Sequence, residues 1–178
     1  MPGATPYEAV EAYVGPLRRA ISCLSTTAVL RGKEFQTPDR PGVLTLVPGP
    51  FRLERRDDDA DLVLSVSQRY EIVAWEEGYR VHTLWYAYKL DNYADGHEIM
   101  AYHWHPEGRI KYPHLHLSYG SQVGREDLRE AHVPTGRIAL EDVVQFLIDS
   151  MHVIPVRDDW QKVLEQTAGA FKAHRTWG

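Results

Sequence analysis

Two His-x-His units constrain the fold more than any other feature of this chain. His103 and His105 form the first unit, and His114 and His116 form the second after a short polar loop. In an extended strand successive side chains point to opposite faces, so each unit places both imidazoles on one face. The residues that alternate with them are apolar, namely Met100, Tyr102, Trp104, Leu115 and Leu117. The pattern therefore predicts an antiparallel hairpin with one histidine face and one core face.

The alternation also predicts a register for this hairpin. We expect His105 opposite His114 and His103 opposite His116, because a slip of one residue would mix the histidine and apolar faces. Directly opposed side chains have Cβ atoms roughly 4.5–5.5 Å apart, so the four imidazole rings are predicted to be neighbours. On the other face this register pairs Met100, Tyr102 and Trp104 with Leu115, Leu117 and Tyr119.

The first 24 residues predict an N-terminal helical element. Thr5, Pro6 and Glu8 form a capping-box start. Apolar residues then recur at three- and four-residue spacing, which is typical of one buried helical stripe. Gly15 and Pro16 interrupt this stripe, so we expect a kink or a division into two short helices.

The middle of the chain predicts an antiparallel meander. Residues 43–47 predict a short strand, and 51–54 are expected to return along it. Longer alternating segments follow, and with the second histidine unit they make four consecutive strands, at residues 62–75, 79–90, 98–105 and 114–117.

The C-terminal third predicts helices. Residues 125–131 are expected to form a short polar helix and 132–136 a turn, whereas 138–148 show helical apolar spacing. A last helix is expected to start near Asp158. The predicted fold class is α+β, an antiparallel β-meander sheet with an N-terminal helical element and two C-terminal helices packed against it. Length and ordinary globular composition favour a single domain over residues 1–178.

Composition limits the location and the partners. No stretch approaches the ~18 apolar residues of a membrane span, and Glu8 and Glu11 argue against a secretory signal. The single cysteine, Cys23, excludes an internal disulfide and favours a cytoplasmic location. The net charge of −5 excludes a protein that wraps nucleic acid by bulk electrostatics, although a local basic site remains compatible with it.

The histidines suggest acid–base chemistry. An ordinary imidazole has a pKa of ~6.5, so at neutral pH one ring accepts a proton while a second ring near a phosphate donates one. Cleavage of RNA without a metal needs such a pair together with a cation that holds the phosphate. His103 and His116 are the leading catalytic candidates, with His105 and His114 beside them. The candidates for binding phosphate or stacking a base are Arg109, Lys111, Tyr112 and Tyr119.

These motifs resemble those of the TumE-type toxin family, small cytoplasmic members of bacterial toxin–antitoxin pairs. The shared features are tyrosine-rich strands, then the two histidine units, then a helix that starts Leu140-Glu141-Asp142-Val143. They span roughly residues 79–150. The resemblance implies growth inhibition through RNA, relieved by a separately encoded antitoxin protein. The chain departs from the family pattern because it is longer at both ends and its histidines form two separated pairs.

Two further interpretations use the same residues. In one, three histidines bind Zn²⁺ or Fe²⁺ through neutral nitrogens and leave a position open for water, as in a cupin-like metal-dependent enzyme. Gly96 and Glu107 lie close to, but not at, the positions that the cupin motif requires relative to His103 and His105. In the other, the aromatic-rich sheet is a non-catalytic module that holds a protein or a nucleotide. The metal-ligand candidates are His103, His105, His114 and His116.

Overall fold

The computed structural model describes residues 2–32, 37–38, 40–56, 61–121 and 131–174. Within these ranges the chain forms three helices, nine strands and a 3₁₀ turn at Tyr119–Ser121. The helices are α1 (Pro6–Ile21), α2 (Leu140–Asp149) and α3 (Trp160–His174). The strands are β1 (Pro2–Gly3), β2 (Val29–Arg31), β3 (Gly42–Val47), β4 (Phe51–Leu53), β5 (Leu62–Trp75), β6 (Gly78–Asn92), β7 (Glu98–Trp104), β8 (His114–Leu117) and β9 (His132–Pro134).

These strands make one antiparallel sheet in the order β2-β3-β5-β6-β7-β8-β9, while β1 pairs with β6 and β4 pairs with β5. The four consecutive strands β5 to β8 are the predicted meander. They form because each strand alternates apolar and polar residues and is joined to the next by a short turn or loop. The predicted α+β class is confirmed.

The histidine hairpin forms with a register two residues away from the predicted one. His103, and not His105, lies opposite His114, and His116 lies opposite Ala101. A shift of two residues leaves the four histidines and the apolar residues that alternate with them on their predicted faces, so the two sets stay apart. The hairpin therefore closes with a longer loop, because β7 ends one residue before His105.

Two short segments differ from their prediction. The segment expected to be a turn at 132–136 contains strand β9, which pairs with β8. Strand β4 pairs with β5 and not with β3, because the 14 residues of β5 are long enough to pair with β4 at its start and with β3 in its middle. Strands of three residues contain too few alternations for periodicity to assign them or their partners.

Helix α1 starts as predicted. The Thr5 hydroxyl accepts the Glu8 N–H at 3.2 Å, and the Thr5 N–H donates to the Glu8 carboxylate at 3.0 Å. The helix then continues through Pro16, where the sequence allowed a division into two. A proline removes one intrahelical hydrogen bond, and burial of Val14 and Leu17 on either side keeps this segment packed.

The three helices cover one face of the sheet and bury the core against it. Burying one large aliphatic or aromatic side chain contributes about 1.5–3 kcal/mol, so this layer supplies most of the driving force for folding. The largest fully buried side chains include Ile21, Leu30, Leu44, Leu64, Tyr70, Ile72, Leu140 and Leu147.

The polar helix expected at 125–131 lies outside the described residues except for Ala131, which is not helical. Of the helices that the structure describes, none is both long enough and apolar enough to cross a lipid bilayer.

Candidate active site

The histidine face is the side of the sheet turned away from the helices. Residues that alternate with the core residues of β6, β7 and β8 line this face, and β9 extends it at one edge. The pairing of strands places these residues in rows across the sheet. One row contains Lys89, Ala101, His116 and His132, and the next contains Ala87, His103 and His114.

Five imidazole rings gather on this face. The His103 ring lies 5.5 Å from the His105 ring, 5.6 Å from the His114 ring and 6.2 Å from the His116 ring, measured between centroids. The His132 ring lies 5.0 Å from His114 and 5.2 Å from His116. The structure thus brings the four predicted rings together and adds a fifth.

His116 is held by a carboxylate. Its Nδ1 lies 3.0 Å from Oε1 of Glu98, and the Ser118 hydroxyl donates to the same oxygen at 2.5 Å. Ser118 Oγ also lies 3.2 Å from His116 Nδ1. Because ring orientation is set by the bond at one nitrogen, Glu98 fixes the His116 ring and leaves Nε2 as the nitrogen that can exchange a proton with a ligand.

These three side chains do not form a nucleophilic triad. In a triad the acid and the nucleophile occupy opposite nitrogens of the imidazole. Here Glu98 and Ser118 both lie at Nδ1 of His116. The arrangement therefore supports proton transfer by His116 and does not activate Ser118 for attack.

His114 is the most enclosed ring of the cluster, with 4% of its surface exposed. Its Nδ1 lies 2.9 Å from the carbonyl oxygen of Tyr112, which can only accept, so Nδ1 carries a proton. The Tyr112 side chain is 45% exposed, and its ring lies 6.0 Å from the His114 ring. His114 thus packs beneath the cluster and links it to the loop.

Burial, followed by the neighbouring His105 as a potential like charge, lowers the pKa of His103 to about 4. Burial and His114 also lower the pKa of His105. Both rings are therefore neutral at pH 7, and an imidazole that is neutral and partly exposed can accept a proton from a ligand.

Glu98 is a carboxylate at neutral pH. Burial opposes its ionisation, but hydrogen bonds from Ser118 and His116 outweigh that effect, and its pKa is lowered. As a carboxylate, Glu98 can only accept, so it accepts a hydrogen bond from the Nδ1–H of His116.

The predicted substrate-binding residues lie on or next to the hairpin loop. Arg109, Lys111 and Tyr112 are exposed in this loop. Tyr119 begins the 3₁₀ turn that follows β8, and its side chain lies outside the described part of the chain. Of the three residues whose side chains are described, Tyr112 has a ring contact with the cluster, through His114.

Strand β6 adds two residues that the sequence analysis did not select. The Trp85 ring lies 5.1 Å from the His105 ring. Lys89 lies opposite Ala101, and its Nζ forms a salt bridge with Oδ2 of Asp91 at 3.0 Å. Alternation along β6 could have identified Trp85 and Lys89, because both fall on the face opposite Tyr86 and Tyr88.

Glu98 and His132 were also missed, and for different reasons. Simple alternation along β7 places Glu98 with Met100 on the core face. A β-bulge shifts the register between Leu90 and Asp91, so Glu98 turns to the histidine face. His132 was assigned to a turn, and only its pairing with β8 brings it into the cluster.

The predicted metal alternative requires a set of converging donors. Among the described residues, no group of three or more His, Cys, Asp or Glu side chains has an arrangement that could hold a metal ion. Binding of Zn²⁺ or Fe²⁺ stays a prediction for direct analysis.

Comparisons with protein-family models, with curated protein sequences and with solved structures found no match to this chain.

Proposed function

We propose that this protein is a ribonuclease that cleaves RNA without a metal ion, with His103 as general base and His116 as general acid. The observation that carries the proposal is the geometry of this pair. The two rings are nearly parallel, at 11°, with centroids 6.2 Å apart. Burial keeps His103 neutral, and a carboxylate holds His116.

The reaction needs one proton acceptor and one proton donor. The 2′-hydroxyl of a nucleotide attacks the adjacent phosphorus, and His103 accepts the hydroxyl proton as the new P–O bond forms. His116 donates a proton to the 5′-oxygen as the old P–O bond breaks. The products are a 2′,3′-cyclic phosphate and a free 5′-hydroxyl, and two positioned groups of this kind contribute about 10²–10⁴-fold each.

Local cations and rings would hold the substrate, because the net charge of −5 does not. Lys89 on the sheet and Arg109 and Lys111 in the loop are suited to phosphate oxygens. Trp85 and Tyr112 border the cluster on two sides and are suited to stacking of unpaired bases. Single-stranded RNA is therefore the proposed substrate.

The proposed biological setting is a toxin–antitoxin pair. The resemblance to TumE-type toxins supports a cytoplasmic toxin whose RNA cleavage stops growth and whose activity is blocked by a cognate antitoxin protein. Short motifs alone support this part. Expression of the chain in a bacterial host, with and without the adjacent gene, tests it through the growth rate.

Purified protein should cut single-stranded RNA in excess EDTA, leaving 2′,3′-cyclic phosphate ends. DNA of the same sequence should stay intact, since it lacks the 2′-hydroxyl. His116→Ala should lower the rate by about 10²–10⁴-fold. The matched control is His82→Ala, because His82 also bonds a carboxylate through Nδ1 at 3.0 Å but lies outside the cluster.

Other outcomes would reject the proposal in identifiable ways. Full activity of His116→Ala would remove the assigned acid. Activity that EDTA abolishes, with about one metal per chain by elemental analysis, would establish the metal-dependent alternative. Absence of cleavage, with partner binding that survives change of all four predicted histidines to Gln, would establish the binding module.

A further inference from the structure

A second polar site lies on the opposite side of the sheet, inside the core. A small cavity is enclosed by α1, by the start of α2 and by the inner faces of β5, β6 and β7. Its lining includes Tyr13, Gln68, Tyr86, Tyr88, Trp104 and Glu141. The histidine pair does not use this site, because the sheet separates the two.

Glu141 is almost fully enclosed here. It is 2% exposed, and neither of its carboxylate oxygens has a hydrogen-bond partner among the described residues. Gln68, which is 6% exposed, also has an unpartnered side-chain oxygen. Three buried acceptor oxygens thus line one cavity, and leaving such groups unpaired costs about 1–3 kcal/mol each.

Nearby hydroxyl groups are already engaged. The Tyr13 hydroxyl bonds the Thr83 hydroxyl at 2.8 Å, and the Tyr86 hydroxyl accepts the N–H of Ile138 at 3.0 Å. None of the described hydroxyl groups bonds the carboxylate of Glu141 or the side-chain oxygen of Gln68, so these acceptors are open to a donor that enters from outside.

Four aromatic side chains complete the wall. Tyr86 stacks on Tyr88 with centroids 4.8 Å apart, and Trp104 lies 6.2 Å from Tyr86. Tyr13 closes the α1 side. Aromatic faces attract cations, and the attraction strengthens when the cation is removed from water. The Trp104 ring already holds the guanidinium of Arg137, so the carboxylate of Glu141 and the rings of Tyr13, Tyr86 and Tyr88 are the groups suited to an organic ammonium.

Size and access limit the occupant. The cavity measures about 20 Å³, and a volume of roughly 10–15 Å³ suffices for one water-sized group. Pro16, Thr83 and Arg137 line it and are partly exposed, so they mark its outer end. Arg137 lies there with its guanidinium carbon 3.4 Å from the centre of the Trp104 ring. A primary ammonium head fits inside, with a thin alkyl chain leading outward.

We infer that this cavity is a binding site for a primary alkylammonium group, with Glu141 and Gln68 as acceptors and Tyr13, Tyr86 and Tyr88 in its wall. Three N–H donors of such a head match the three unpartnered oxygens in number. A water molecule has only two donors and brings no charge to Glu141. The inference is independent of the proposed ribonuclease activity.

The test uses methylammonium and n-butylammonium as probes on the full chain. Isothermal titration at pH 8 and constant ionic strength should show saturable binding with one site per chain. Tetramethylammonium, which has no N–H donor, and sodium should not bind. Glu141→Gln should weaken binding by about tenfold or more, the effect of losing a charge-assisted hydrogen bond.

Glu165→Gln is the matched control, since Glu165 is exposed on α3 and the chemical change is identical. It should bind both probes as the unmodified chain does. If neither ammonium ion saturates a site, or if Glu141→Gln binds them unchanged, the inference is overturned. If Glu141→Gln does not fold, Gln68→Leu provides the same comparison through the other acceptor.

Discussion

The two faces of the sheet treat polar groups in opposite ways. On the histidine face the rings other than His114 are at least partly exposed, and His114 and His116 have hydrogen-bond partners. On the helix face Glu141 is enclosed without one among the described residues. Polar groups on a solvent-exposed surface cost little folding free energy, whereas a buried unpaired carboxyl costs several kcal/mol. The polar side chains of the histidine face are therefore available for chemistry. On the helix face, the buried carboxyl of Glu141 opposes stability unless a ligand is bound.

The largest expected effect separates catalysis from folding. His103→Ala should lower the RNA cleavage rate by about 10²–10⁴-fold, because it removes the general base. It should leave the free energy of unfolding unchanged or higher, because a ring whose pKa is lowered to about 4 is held neutral by burial. Single-turnover cleavage and urea unfolding measure the two effects, and a comparable loss of stability would break the distinction between the faces.

The second prediction concerns the helix face, where a substitution should lower stability and leave cleavage unchanged. Leu147→Ala, at a position 1% exposed, should lower the free energy of unfolding by about 2–5 kcal/mol through lost burial and a new cavity. Cleavage per folded molecule should be retained. Urea titration followed by an activity assay of the folded fraction checks this, and a changed rate would show that the two faces are coupled.

The third prediction concerns pH. Burial raises the pKa of Glu141 from 4.5 to about 7. The unfolded chain therefore loses this proton first as the pH rises, so stability falls between pH 4.5 and about 7 and then levels off, by about 3 kcal/mol from this residue. Glu141→Gln should remove that decline.

Urea unfolding at pH 4.5 and pH 8 measures the difference between the two proteins. Glu165→Gln should keep the decline. An unchanged pH dependence in Glu141→Gln would mean that Glu141 ionises as freely in the folded protein as in the unfolded chain.

The smallest predicted effect sharpens the role of Glu98 as a positioning residue. Glu98→Gln should lower the cleavage rate by about ten- to a hundredfold, since a hydrogen bond to a charged group is worth about 1.5–3 kcal/mol. The loss should appear in kcat and not in KM, because Glu98 orients His116 and does not bind the substrate. A loss confined to KM would contradict this role.

Much of the fold could be predicted because its signals are local. The capping box of Thr5 and Glu8 and the alternation along β5 to β8 each lie within one segment. The register of the histidine hairpin could not be fixed to better than two residues, because a two-residue shift preserves both faces. The partner of β4 depends on the length of a distant strand.

The residues of the candidate site likewise divide into those that local sequence patterns predict and those that depend on strand pairing. The two His-x-His units predict four clustered imidazoles from alternation alone. Glu98 joins them only through a β-bulge, which reverses the phase of one strand end. His132 joins through pairing of β9 with β8. Both events depend on pairing between strands, and periodicity within one strand does not contain that information.

The sequence by itself determined which side chains share a face, since the twofold alternation of a strand is a local property of the backbone. The tertiary structure decided which faces meet, and so it placed Glu98 at His116 and enclosed Glu141 beneath α1. Strand pairing and helix packing minimise the free energy of the whole chain, and a buried carboxyl persists when the surrounding core stabilises the fold by more than its burial costs.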